Sequence, residues 1–107
     1  MNAASSKTQA DLKKIKEYLD QMQQVGEKQA DLLHKRQKLL HENYEKSEKQ
    51  ELTWQLEDQI QDCDQMIADT NQQIKEIQDQ IKKIQDALEE RQLIINDQIL
   101  ELNHLRQ

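Results

Sequence analysis

Three kinds of side chain in this sequence could carry chemistry, and each has a spacing that must be weighed. His34 and His41 are one heptad apart, so on a helix they share a face, with Glu42 and Glu45 beside them. Metal binding needs further ligands held in fixed geometry. A solvated helix surface accounts for these residues with fewer demands. His104, near the C-terminus, reads as a cation beside the negative end of a helix. Cys63, the single cysteine, lies between Asp62 and Asp64, where acidic neighbours disfavour a thiolate. A nucleophile is therefore not expected, and one cysteine cannot build a disulfide framework or a Cys-based zinc site. With no Gly-rich phosphate loop and no metal-ligand cluster, the sequence predicts no catalytic, cofactor-binding or metal residues and no enzyme activity. Tyr44 and Trp54 remain, either plugging the end of a helical pair or standing exposed as anchors for another protein.

The composition says what elements these residues sit on. Of 107 residues, 34% are charged and 35% apolar, with no Pro, one Gly and 3% aromatic. So few aromatics argue against a compact core, and the pattern is that of long helices and coiled coils. Residues 1–46 carry nine Lys/Arg against seven Asp/Glu, and residues 47–107 six against fourteen. Neither half has a dense basic stripe, so nucleic acid is not an expected partner. No apolar run approaches the ~20 residues of a membrane span, nor does the start read as a secretory signal. The expected setting is cytoplasmic, with no membrane contact.

Periodicity supplies the architecture. From Leu56 a 3-4 repeat runs through Ile60, Cys63, Ile67, Thr70, Ile74, Ile77, Ile81, Ile84, Leu88, Arg91, Ile95, Gln98, Leu102 and Leu105. A sustained period of 3.5 specifies a coiled-coil seam. Arg91 and Gln98 interrupt it, either fixing register or lying where no partner covers them. The first half follows the rule through Leu12, Ile15, Leu19, Met22, Leu33 and Leu40, with Val25, Leu32 and Leu39 widening the stripe. The phase then breaks across the polar HENYEKSEKQ. Asn43 can close a helix in the left-handed conformation, and Ser47 with Gln50 has the form of a capping box opening the next one.

The expected fold is thus all-α: a long coiled coil, as a two-helix antiparallel hairpin with a longer second helix. Its parts would be a flexible N-terminus over 1–6, helix one over 7–43, a turn at 44–47 and helix two over 48–107. The second helix would project unpaired from about Lys83. A continuous parallel rod, a generic dimeric scaffold or tether, is the competing arrangement.

One stretch also resembles a known family. KQADLLHKRQKLLHEN, a polar link, and KQELTWQLEDQIQDCDQMIADTNQQI, spanning Lys28 to Ile74, are similar to the stalk of kinesin-4 family motors. The resemblance implies a helical hairpin with Leu32, Leu33, Leu39, Leu40, Leu56, Ile60 and Ile67 as its core. It also implies a regulatory or dimerising role beside a microtubule motor, in the cytoskeleton or a cilium. The expected partner is another coiled-coil helix, within the chain or in a homodimer, or else a motor domain or cytoskeletal protein.

Overall fold

A computed structural model describes residues 3–106. It is an all-α hairpin of two helices, α1 (Ala3–Glu48, 46 residues) and a longer α2 (Trp54–Leu105, 52 residues), and contains no strand among the described residues. The chain divides into two compact units, Asp20–Glu76 and Met1–Leu19 with Ile77–Gln107.

The turn lies later than the sequence suggests. α1 runs through Asn43 and Ser47 to Glu48, and residues 49–53 link the helices in place of 44–47. Gln50 adopts φ 57°, in the left-handed region. The Glu51 amide donates to the Lys46 carbonyl at 2.9 Å and the Gln50 amide to the Ser47 carbonyl at 3.0 Å. Those two bonds are the Schellman closure of a helix end, here on Gln where Gly is usual. Ser47 therefore serves the end of α1 through its carbonyl, and the capping box expected of it does not form. Thr53 opens α2. Its carbonyl accepts the first helical bond, from the Glu57 amide at 3.0 Å, and its hydroxyl donates to the Glu57 carboxylate at 3.2 Å. Glu57 also lies near the positive end of the α2 dipole. At the other end, Ala3–Ser6 belong to α1, where a flexible segment was expected; Met1 and Asn2 lie outside the described residues.

Within Asp20–Glu76 the helices run antiparallel, and Gln29 of α1 meets Thr70 of α2. Stepping three and four residues in opposite directions from that pair, the heptad rule sets Val25 level with Ile74, Leu32 with Ile67, Arg36 with Cys63, Leu39 with Ile60 and Asn43 with Leu56. Burial follows this register, since every one of these positions is buried or half-buried. Leu39, Leu56 and Cys63 form the core cluster, with Ile60 packed against it. In the unit of Met1–Leu19 with Ile77–Gln107, Thr8 meets Arg91, and the same stepping sets Asp11 level with Leu88, Ile15 with Ile84 and Tyr18 with Ile81. All of these are again buried or half-buried.

The seam of α1 thus differs from the one its leucines suggest. Ile15 and Met22 are on it, but its second column is Asp11, Tyr18, Val25, Leu32 and Leu39, one residue before Leu12, Leu19, Gly26, Leu33 and Leu40. Leu12, Leu19, Leu33 and Leu40 are all exposed. Physically, the choice between neighbouring columns is made by the facing helix. The Leu39 column continues at its C-terminal end to half-buried Lys46, whereas the Leu40 column continues to exposed Ser47. On α2 the expected seam holds from Leu56 to Arg91, including Ile60, Cys63, Ile67, Ile74, Ile77, Ile81, Ile84 and Leu88, all buried or half-buried. Ile95, Leu102 and Leu105 are exposed. Pairing extends past Lys83, since Thr8 and Asp11 of α1 meet Arg91.

Two substitutions separate the columns. Leu32→Asp should cost about 3 kcal/mol or more by placing an unpaired charge in the seam, whereas Leu33→Asp should change stability by no more than about 0.5 kcal/mol. Urea unfolding followed by helicity reads both, and equal losses would refute the observed register. At the turn, Gln50→Gly relieves a left-handed side chain and should raise stability by about 0.5–1 kcal/mol; a loss on thermal melting would mean that Gln50 does not close α1 in this way.

Candidate interaction surfaces

The residues with chemical potential are placed apart. His34, Gln37, Lys38, His41, Glu42 and Glu45 line an open groove on α1 alone, and His41 Nε2 lies 3.1 Å from the Glu45 carboxylate one turn on. Among the described residues no group of His, Cys, Asp and Glu is arranged to hold a metal ion. His104 sits in the last turn of α2. The Cys63 thiol is 2% exposed, inside the Leu39–Leu56 cluster, and faces α1 of its own chain.

Polar layers punctuate both units. In Asp20–Glu76, Thr70 is only 1% exposed, and its hydroxyl is fully used. It accepts from Gln29 Nε2 at 3.2 Å and donates to the Ile67 carbonyl at 2.7 Å. Gln29 Nε2 also donates to Asn71, and Arg36 pairs with Asp64 from α1 to α2. Asn43 Oδ1 is buried without a hydrogen-bond partner. In Met1–Leu19 with Ile77–Gln107, the Arg91 guanidinium donates to Thr8 Oγ1 at 2.9 Å and to the Asp11 carboxylate. The Arg91 and Asp11 side chains keep only 18% and 21% of their exposure. This ion pair inverts the charge asymmetry of the sequence, for the base comes from the acidic half and the acid from the basic half. Of the two roles open to Arg91 and Gln98, Arg91 takes a place in the seam and Gln98 lies exposed.

Two surfaces remain apolar and uncovered. The first belongs to Asp20–Glu76. Leu33 and Leu40 stand one heptad apart on the flank of α1, and Tyr44 is one turn beyond Leu40. Leu52 and Trp54 follow at the turn, and all five are exposed. Tyr44 and Trp54 therefore do not plug the hairpin; they stand in solvent, the state in which aromatics anchor partners.

The second surface is the end of α2. Leu93, Ile94, Ile95, Ile99, Leu100, Leu102 and Leu105 are all exposed, from 40% at Ile95 to 76% at Leu105. On the helical wheel Ile94, Ile95, Ile99, Leu102 and Leu105 share one broad face, and Leu93 and Leu100 occupy the opposite one. The cause of their exposure is on α1. Its residues 3–11 include no large apolar side chain, so where Thr8 and Asp11 meet Arg91 the apolar seam has already given way to polar contact. The heptad reading found Ile95, Leu102 and Leu105 but missed Leu93, Ile94, Ile99 and Leu100. The density of aliphatics in LIINDQILEL, beyond what one seam can use, was the available signal.

Arg91→Ala removes both contacts and strands a half-buried Asp11 carboxylate, at a cost of about 1–2 kcal/mol after discounting for the remaining exposure. Arg91→Leu with Asp11→Leu, an apolar replacement of the pair, should be neutral or stabilising. Thermal melts check both, and a double variant weaker than Arg91→Ala would contradict the assignment of Arg91 to a desolvated pair.

No described helix is long and apolar enough to cross a membrane. Comparison with protein-family models, with curated proteins and with solved structures finds no match to this chain.

Proposed function

We propose that this chain is a non-catalytic coiled-coil interaction segment whose hairpin acts as a scaffold and whose apolar α2 end binds another helix. The observation that carries the reading is the single face of five exposed aliphatic residues, Ile94, Ile95, Ile99, Leu102 and Leu105, at the end of α2. A contiguous apolar patch of several hundred Å² marks an interaction site. The partner class is a coiled-coil helix, and on the resemblance over Lys28 to Ile74 the setting is a microtubule motor stalk. There the segment regulates or dimerises a motor domain or a cytoskeletal partner, in the cytoplasm or a cilium.

A parallel dimeric rod is the alternative, and two features weigh against it. Its in-register seam would set Arg91 against Arg91, a like-charge pair at close range. It would also need the α2 face that α1 covers here from Leu56 to Arg91.

The motor setting is tested by adding the folded chain in trans to a kinesin-4 family motor domain and measuring co-sedimentation with microtubules. A several-fold change in the bound fraction is expected, abolished by Leu102→Asp. No change at concentrations where circular dichroism reports the full helix would remove the motor assignment.

A further inference from the structure

We propose that the hairpin opens at residues 49–53 and exchanges α1 with a second copy of this chain, each α1 then pairing with the other copy's α2 through the seam already described. The inference goes beyond the reading above, because it concerns the turn and the seam and leaves the α2 end free.

Three observations carry it. The first is the turn. Gln50 holds φ 57° without the glycine that such a position favours, and the first amides of α2 have no intrahelical partner in the hairpin. The second is the link. Lys49, Gln50, Glu51, Leu52 and Thr53 include neither Gly nor Pro, and the first four are good helix formers. A helix running from α1 straight into α2 would release the left-handed residue and supply the missing amide partners. The third is phase. Leu32, Leu39, Lys46, Thr53, Ile60 and Ile67 follow one another at intervals of seven through the link, and all six are buried or half-buried. One seam column therefore stays in phase from helix to helix. The second column changes side, from Asn43, three residues before Lys46, to Leu56, three after Thr53. That is a stammer, which continuous coiled coils absorb by local overwinding.

Exchange conserves the seam. An antiparallel register depends only on which residues are level, so Gln29 meets Thr70 of the second copy as it meets its own in the hairpin. Arg36 with Cys63 and Leu39 with Ile60 follow. Thr8 with Arg91 fits the same register, since each helix advances 21 residues from Gln29 and Thr70 to reach them. New contacts are confined to the two-fold axis, where Lys49 is level with Gln50 of the second copy. Seam burial is thus equal in the two forms, and the balance is set by the turn against association, the usual economy of an exchanged element. A short link closes the hairpin at an effective concentration of order millimolar, and relief of two turns per dimer lowers the concentration at which exchange prevails. The exchanged dimer carries two α2 ends facing opposite ways, which makes a monovalent interaction segment bivalent.

Arg36→Cys gives Cys63 a partner on its own level, at the cost of an exposed ion pair with Asp64, and reports which chain covers which. This variant is refolded from denaturant at about 5 µM and at about 1 mM, below and at the effective concentration of the link, then oxidised with oxidised glutathione. The lower concentration should give a monomer with an internal bond. At the higher, at least about a tenth of the chains should be dimers joined twice, each time between position 36 of one copy and Cys63 of the other. Adding Gln50→Gly should cut the dimer at least about tenfold, because glycine eases the turn and weakens the helix. Gln50→Val, a branched side chain that tolerates the left-handed conformation badly, should raise it. Leu102→Asp, outside the exchanged seam, should leave it unchanged. Internal bonds alone at the higher concentration, a dimer indifferent to both Gln50 substitutions, or a dimer lost with Leu102→Asp overturns the exchange. So does a bond between two copies of Cys63 in the native chain, the mark of a parallel rod.

Discussion

Each helix of this chain has one apolar stripe, and each unit offers it one neighbour. A two-helix seam is one layer thick, so no side chain can be surrounded on all sides as in a globular core. Only Leu39, Leu56, Cys63, Thr70 and Ile81 are buried among the described residues. The rest of the seam is half-buried, and its contribution scales with the area covered. Stability is then a sum over layers, and each layer matters in proportion to how well its two residues meet. The absence of Phe and the scarcity of aromatics fit this geometry, since a large ring would have no third wall to pack on.

Polar layers in so thin a seam have a different weight from polar groups in a thick core. Gln29 with Thr70 and Arg91 with Thr8 and Asp11 are satisfied only when the helices are aligned as observed. A slip of one heptad would set Thr70 against Met22 or Arg36, or Arg91 against Ile15, with the observed hydrogen bonds lost. These layers contribute little net stability but make alternative alignments worse, the role best attested for polar residues at seam positions. Asn43, whose buried carbonyl oxygen lacks a partner, weakens the layer nearest Leu56.

The fold class was legible in the sequence because it rests on a period, and a period survives local noise. The α2 seam from Leu56 to Arg91 was readable residue by residue, since isoleucine recurs there with little competing apolar content. α1 was readable only to within one residue. Leu32-Leu33 and Leu39-Leu40 are adjacent pairs, so the sequence contains two candidate columns, and the facing helix decides between them. The turn was misplaced for a related reason. Asn43, Lys46 and Ser47 look like loop residues when taken singly, yet Asn43 and Lys46 continue the seam rhythm. Closure is made by the backbone around Gln50, which no side-chain rule singles out. The exposed end of α2 was visible only as composition, because exposure depends on where α1 stops meeting it.

The pairing of Thr8 with Arg91 closes a loop of 83 residues, whereas that of Arg36 with Asp64 closes one of 28. Loop closure grows with the logarithm of length, so from an unfolded chain the longer loop costs about 1 kcal/mol more. Contacts in Asp20–Glu76 are therefore the earlier to form, and that unit also holds the core cluster. The Arg91 layer is reached late in folding and, having few buried aliphatics beside it, is among the first to open. Amide exchange along α2 should accordingly be graded, with a half-life that shortens from the Cys63 turn towards Leu105, so that the surface offered to a partner is also the less persistent end of α2.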